Sequence, residues 1–287
     1  MSDAKTNLFC SKRNTKRLKK ELFCAKIKTG GESVMKYYEK LVELGCFSRQ
    51  NLVNITGSES AAASLIYEYL KKNYIERVRH DTYTVISLET RQPILSRYQI
   101  GSYLFSDAYL THHSALELYG YANQVFYEIY ISSSHRFSDF VYNGTLYHRV
   151  MPKNNSQVIM TGGIRVTELE QTIVDSIQDF EKISGIEEVI RCLLLVPSLD
   201  AKKILQALSE AGNGFLYQKC GYIFEELNSS LRLPQWFFEE CQKYMSNSKR
   251  YLINSKRNLV YNSKWKLYVP YSLMSLVNKG VSDYNAV

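Results

Sequence analysis

Apolar positions fall into helical spacing from Glu32 onward. Val34, Tyr37, Tyr38, Leu41 and Leu44 share one face of a helix that Gly45 terminates. Phe47 leads to Ser48, an N-cap for a short helix that carries Leu52 and Val53. Thr56-Gly57 breaks that helix and Ser58 caps a third, over 59–72, with Ala62, Leu65, Ile66, Tyr69 and Leu70 at helical spacing. The pattern then becomes strand-like: Ile75 to Arg79, a turn at His80-Asp81, and Thr82 to Ile86. Three short helices followed by a hairpin describe a winged helix-turn-helix. Two helices cover the back of the third, whose front is left free for a DNA groove, while the hairpin reaches the neighbouring backbone. A three-helix packing unit inside an enzyme would give a similar pattern.

Beyond Arg91-Gln92-Pro93, residues 94–105 read as a linker or connecting strand, and a second domain opens near Ser106. The spacing predicts a helix over 111–119 ending at Gly120, a strand over 125–132, a strand pair about Asn143-Gly144 and a strand over 157–166. Thr167-Glu168-Leu169-Glu170 has the form of a capping box, and its helix shows Leu169, Ile173, Ile177 and Phe180 on one face. Helices near 185–195, 200–211, 215–230 and 234–245 follow, and the chain closes in aromatic, strand-like segments such as Trp265 to Pro270. The expected fold class is therefore α+β: a basic arm over 1–30, a winged helix-turn-helix over 31–92, and a mixed α/β C-terminal domain over 98–287.

The composition is that of a globular chain, and its longest apolar runs fall far short of the ~18–20 residues of a membrane span. The first twenty residues contain no apolar core of a secretory signal. Six cysteines without CxxC pairing read as reduced thiols, so a cytoplasmic protein is expected. The net charge of +8 is unevenly placed. Residues 1–28 carry nine basic and two acidic residues, 29–98 nine and eight, 99–242 ten and seventeen, and 243–287 eight and one. Basic ends around an acidic middle point to a polyanionic partner, nucleic acid being the commonest.

Catalytic motifs are not found. The chain has no GxGxxG, P-loop, HExxH or GxSxG. His112 and His113 are adjacent, so on a helix they diverge by about 100° and cannot both face one metal. Asp200-Ala201-Lys202 matches the [DE]-x-K of nucleases but opens a helix after Pro197-Ser198, which suits a cap. Glu168, Glu170 and Asp175 read as capping and solvated residues. No catalytic residue, metal or cofactor is expected. For DNA, Ser58 begins the third helix and Ser60, Ser64, Tyr67 and Lys71 lie on its front, beside Glu59 and Ala63. Strong base discrimination usually needs bidentate Arg, Asn or Gln, so this front suits phosphate contact better. Arg77, Arg79 and His80 on the hairpin suit phosphate or minor-groove contact, and Lys12, Arg13, Lys16, Arg17, Lys19 and Lys20 make the arm a further DNA-binding element.

Three segments, in order, carry a family resemblance: His113 to Gly120, Ile164 to Asp175, and Trp265 to Pro270. Together they resemble the AbiEi family, antitoxins and transcriptional regulators of abortive-infection, phage-defence toxin–antitoxin systems. The resemblance spans about residues 33–270. It implies an N-terminal winged helix that represses its own operon at inverted repeats. It also implies a C-terminal domain that opposes a nucleotidyltransferase-like toxin from the adjacent gene, without a stable complex. No membrane partner is expected. Two other readings stay open: a winged-helix protein with a nuclease or other nucleic-acid-processing C-terminal domain, and a pure protein-interaction regulator.

Overall fold

The computed structural model describes residues 37–153, 156–254 and 259–282. The chain is mixed α+β. The basic arm over 1–30, with Lys12, Arg13, Lys16, Arg17, Lys19 and Lys20, lies outside the described residues.

Helix α1 (Tyr38–Leu44) ends at Gly45, whose φ of 68° is a conformation that glycine adopts without strain. Strand β1 (Cys46–Ser48) runs into α2 (Arg49–Thr56) through a reciprocal cap: the Ser48 hydroxyl accepts from the Asn51 amide, and the Asn51 side chain accepts from the Ser48 amide at 2.8 Å. Gly57, left-handed at φ 85°, closes α2, and the Ser58 hydroxyl accepts from the Ala61 amide to start α3 (Glu59–Lys71). Strands β2 (Ile75–Arg79) and β3 (Thr82–Val85) form a hairpin, and β1 pairs antiparallel with β3 to give the sheet order β1-β3-β2. Tyr38, Leu41, Phe47, Leu52, Ala62, Ile66, Tyr69, Ile75, Tyr83 and Val85 make one apolar core beneath these elements. The chain then turns at 87–92 and returns along β3, the Ile94 amide donating to the Val85 carbonyl at 3.0 Å.

The segment expected to be a linker or connecting strand contains a helix, α4 (Arg97–Tyr103). Ser96 and Gln99 cap each other reciprocally, and the Arg165 guanidinium donates to the carbonyls of Ser102, Phe105 and Ala108 at its far end. Next come β4 (Tyr109–Leu110), α5 (His112–Tyr119), β5 (Glu128–Ser132), and a hairpin of β6 (Phe140–Tyr142) and β7 (Thr145–Val150). The single strand expected over 157–166 is two, β8 (Val158–Thr161) and β9 (Ile164–Thr167), separated by Gly162-Gly163, both at positive φ. These strands follow the order β6-β7-β5-β4-β9-β8.

Helix α6 (Leu169–Gln178) is followed by a 3-10 turn (Phe180–Ile183), α7 (Ile186–Leu195), α8 (Ala201–Ala211), α9 (Gly214–Glu226), α10 (Asn228–Leu231) and α11 (Gln235–Tyr244). Strands β10 (Arg250–Tyr251), β11 (Leu259–Asn262) and β12 (Leu267–Pro270) form a third sheet, and α12 (Leu273–Ser282) ends the described chain. By compactness the chain divides into two units. Unit 1 holds the described residues to Tyr109 with 127–149 and 160–165; unit 2 holds 110–126, 150–159 and 166 onward. Residues expected in one C-terminal domain from 98 are thus shared between the two.

Unit 2 is built around α6, in which every residue from Glu170 to Ile177 is buried. Its buried polar side chains are bonded within the unit rather than solvated, except for the Gln171 side-chain oxygen, which has no hydrogen-bond partner among the described residues. Asp175 accepts from Lys153 Nζ at 2.6 Å and from Gln171 at 2.9 Å, while Glu170 accepts from the Asp200 amide at 3.0 Å. The expected capping box at Thr167 does not form. Thr167 still belongs to β9, its hydroxyl pairs with Thr172 Oγ1 at 2.7 Å, and Glu168 is the N-cap. His112 and His113 are both buried. His113 Nδ1 lies 3.1 Å from Glu117 and its Nε2 3.5 Å from Glu188, two carboxylates as buried as itself; His112 Nε2 lies 3.6 Å from Asp179. At the far side, Trp265 is buried against α9, its indole N–H donating to Glu225 at 2.8 Å and its carbonyl accepting from Gln218 at 3.0 Å.

A Cβ on Gly221 would run into the Trp265 ring, which its hydrogen bonds hold in place. Gly221→Ala is expected to cost about 1–3 kcal/mol or more in urea unfolding, and clearly less in a Trp265→Leu background. An equal cost in both backgrounds would assign the loss to something other than the indole. The paired histidines should titrate in opposite senses. Burial pushes the His113 imidazole down, but Glu117 and Glu188 hold it above its ordinary value. For His112 burial prevails over Asp179 and the ring lies below its ordinary value. The His113 contribution is therefore whole below the usual ~6.5 and lost as pH rises through its raised folded value, whereas that of His112 is whole above ~6.5 and lost as pH falls from there towards its lowered folded value. In thermal unfolding from about pH 5 to pH 9, His113→Gln should flatten the alkaline decline and His112→Gln the acid one.

Candidate nucleic-acid interface

Burial of Ala62, Ile66 and Tyr69 leaves the opposite side of α3 in water. Ser60, Ser64, Tyr67 and Lys71 follow one another at i, i+4, i+7 and i+11, so they form a single line down that side. All four are exposed, Tyr67 at 68%. The two acids nearest this line are paired: Glu59 with Arg49 at 3.0 Å and Glu68 with Lys72 at 3.9 Å. Three hydroxyls and an ammonium are donors suited to phosphate oxygens, and none of these side chains is a bidentate base reader. Ser58 uses its acceptor in the cap, and its hydroxyl hydrogen remains a donor at the helix N-terminus. The sequence reading did not single out Arg49 and Lys72, which neutralise the acids beside the line.

The hairpin places its two arginines differently. Residues Arg77 and Tyr83 face each other, whereas Arg79 pairs with Thr82, so a bulge lies between Arg77 and Arg79. Arg77 is exposed, with its guanidinium 5.7 Å over the Tyr83 ring. Arg79, expected to be equally free, is half-buried, with its guanidinium 5.3 Å from the Phe105 ring, 5.7 Å from Phe137 and 6.0 Å from Phe140. Burial lowers its basicity. His80 is exposed at the turn, beside Asp81 at φ 58°.

The aromatic seat of Arg79 is itself anchored. Asp107 accepts from the hydroxyls of Ser133 at 2.8 Å and Ser134 at 2.6 Å, and His135 Nδ1 lies 3.0 Å from it. Although burial acts to raise it, these hydrogen bonds hold the Asp107 carboxyl well below the usual carboxylate range. The His135 ring stacks on Phe105 with centroids 4.8 Å apart, and Arg149 donates to the carbonyls of Ser133 and His135. The Tyr142 hydroxyl donates to Glu76 on β2 at 2.7 Å, a second tie on the same hairpin. Arg79 is thus a clamp for the hairpin. Phe105, Phe137 and Phe140 lie 26 to 61 residues away in sequence, beyond any local pattern.

The nuclease-like triplet is accounted for by capping. The Asp200 carboxylate accepts from the amides of Lys202 at 2.8 Å and Lys203 at 3.4 Å, at the start of α8. The described cysteines are buried free thiols, and burial pushes Cys46, Cys192 and Cys241 up to about 12. No family model matches the chain, and no curated protein matches it either.

The two arginines should separate experimentally. Arg77→Ala is expected to leave stability unchanged and to lower the salt slope of duplex binding by about 1, the share of one phosphate contact. Arg79→Ala should destabilise by about 1–2 kcal/mol as the cation–π seat empties. Thermal unfolding beside gel-shift titrations at several salt concentrations reads both effects. A stable Arg79→Ala protein with a reduced slope would return Arg79 to the DNA surface.

Proposed function

We propose that this chain is an antitoxin and transcriptional autorepressor of a phage-defence toxin–antitoxin operon. In this reading α1–α3 with the β2–β3 hairpin are a winged helix-turn-helix that sits on double-stranded operator DNA, at inverted repeats of the operon's own promoter. The remainder opposes a nucleotidyltransferase-like toxin from the adjacent gene without a stable complex. The observation that carries the DNA half is the order helix, strand, helix, helix, strand, strand, closed by β1 on β3, with one open donor line on the last helix and Arg77 on the hairpin. Among the described residues no helix is long and apolar enough to cross a membrane. The antitoxin half rests on the resemblance of His113–Gly120, Ile164–Asp175 and Trp265–Pro270, which fall on α5, on β9 with α6, and on β12 with the turn before it. Asp200 and His113 are engaged in capping and in an ion-pair knot, and the proposed role is non-enzymatic.

The test uses the full chain, because a cut at 98 would remove α1–α3 from the unit that also contains α4 and the β5–β7 segment. Co-expression with the adjacent gene should restore colony growth, and the purified protein should shift a fragment bearing the promoter repeats. Tyr67→Ala with Arg77→Ala should abolish the shift and keep the protection. A folded double variant that still shifts the fragment would refute the DNA site, and absence of protection by the wild-type chain would refute the antitoxin role.

A further inference from the structure

The sheet β10-β12-β11 of unit 2 carries a feature that repression does not use. Tyr251 on β10 pairs with Tyr268 on β12, and Tyr268 with Tyr261 on β11, so three tyrosines stand in one row across all three strands. Residues directly opposite across strands share a face, while their neighbours Leu267 and Val269 are buried in the unit's core. The rings form a column. Tyr251 and Tyr268 stack with centroids 4.7 Å apart at 19°, and Tyr268 and Tyr261 lie 5.2 Å apart at 48°. The end rings remain open to water, Tyr251 at 46% and Tyr261 at 40%.

A cation stands over one end of this column. Lys249 Nζ lies 5.1 Å over the Tyr261 ring, so its charge stands on the same face as the row. In sequence the segment from Lys243 to Ser282 carries eight basic residues and no acidic one, of which Lys243 and Lys264 pair with Glu240 and Glu225. Cross-strand stacking alone would stabilise the sheet by about 0.2–1 kcal/mol per pair without calling for open end rings or for a lysine held over one of them. Open aromatic faces beside lysines match unpaired bases, each of which has a π-face, with phosphates that the cations meet. A duplex keeps its base faces covered and cannot use such a column.

We infer that this sheet face binds single-stranded nucleic acid, with an unpaired base stacking on the open end of the tyrosine column and Lys249 meeting the backbone. The site lies in unit 2 and is independent of the duplex surface on α3.

Fluorescence anisotropy of the full-length protein with a labelled oligothymidylate of about 12 nucleotides reads the affinity. Tyr251→Leu and Tyr261→Leu keep an apolar side chain and remove the aromatic face; each should weaken binding roughly ten-fold, whereas Tyr251→Phe should bind as the wild type does. Lys249→Gln should lower the salt slope by about 0.7, the share of one single-strand phosphate. Arg77→Ala, which reports on the duplex site, should leave single-strand binding intact, so the two sites fail separately. Photocrosslinking of the wild-type protein to a bromouracil-substituted oligonucleotide should label Tyr251 or Tyr261, which needs no variant to fold. Unchanged affinity in folded leucine variants, crosslinks confined to unit 1, or tyrosine-dependent binding of a proline-rich peptide in place of the oligonucleotide would overturn the assignment.

Discussion

The N-terminal module rests on a single packing constraint: α3 must lose water from one face and from one face only. Ala62, at 0% exposure, is small enough to let α2 lie close, and Ile66 and Tyr69 fill the space beside it. Burying a large apolar side chain is worth roughly 1.5–3 kcal/mol, so these few contacts outweigh any preference of the exposed residues. Tyr69 meets Tyr74 edge-to-face at 5.5 Å, and Tyr74 meets Tyr38 at 5.9 Å, which ties α3 to α1 through the turn that follows it. Tyr38 then donates to the Ile86 carbonyl at 2.6 Å, beyond the end of β3. Once the back of α3 is held from both sides, its serines, Tyr67 and Lys71 have no apolar partner left and face solvent as a line.

Where local chemistry decides structure, the chain is readable. Ser48, Gly57 and Ser58 mark helix ends because each meets a fixed need: a side-chain acceptor for an orphan amide, or a left-handed residue after the last turn. The same rule misleads at Thr167. Its hydroxyl is drawn to Thr172 while its backbone still belongs to β9, so the helix begins one residue later than a capping box would require. In α4 the reverse holds: the Ser96–Gln99 box was present, but the residues after it show too little apolar periodicity to announce a helix, and Arg165 from a distant strand completes it.

Partnership across long sequence separation is not readable in this way. Ile75 and Val78, both buried, are three residues apart, a spacing no regular strand can place on one face. The bulge before Arg79 resolves it and turns Arg79 onto aromatic rings supplied by 105–140. Glu170 and Asp175 illustrate the same limit. Their charge suggested solvation, yet Lys153 and the Asp200 amide satisfy them inside unit 2. Charge alone does not tell a solvated carboxylate from a buried, paired one, because the deciding partner is placed by the fold.

Electrostatics gives the donor line on α3 a particular meaning. Residues 29–98 carry nine basic against eight acidic residues, so the module that would touch DNA attracts it only weakly at long range. Its exposed donors are mostly neutral hydroxyls, which act over hydrogen-bond distance and release few counterions. Such a surface can fix orientation on a phosphate backbone but contributes little salt dependence. The cationic weight of the chain lies at its two ends, in 1–28 and 243–287, each with a net charge of +7. In a chain so divided, the salt dependence of nucleic-acid binding measures the ends, while the loss caused by removing a hydroxyl from α3 measures the fit of the module. An affinity that falls steeply with salt and barely responds to α3 substitutions would then describe a protein held by its charged ends, and the opposite behaviour one that reads the duplex with its helix.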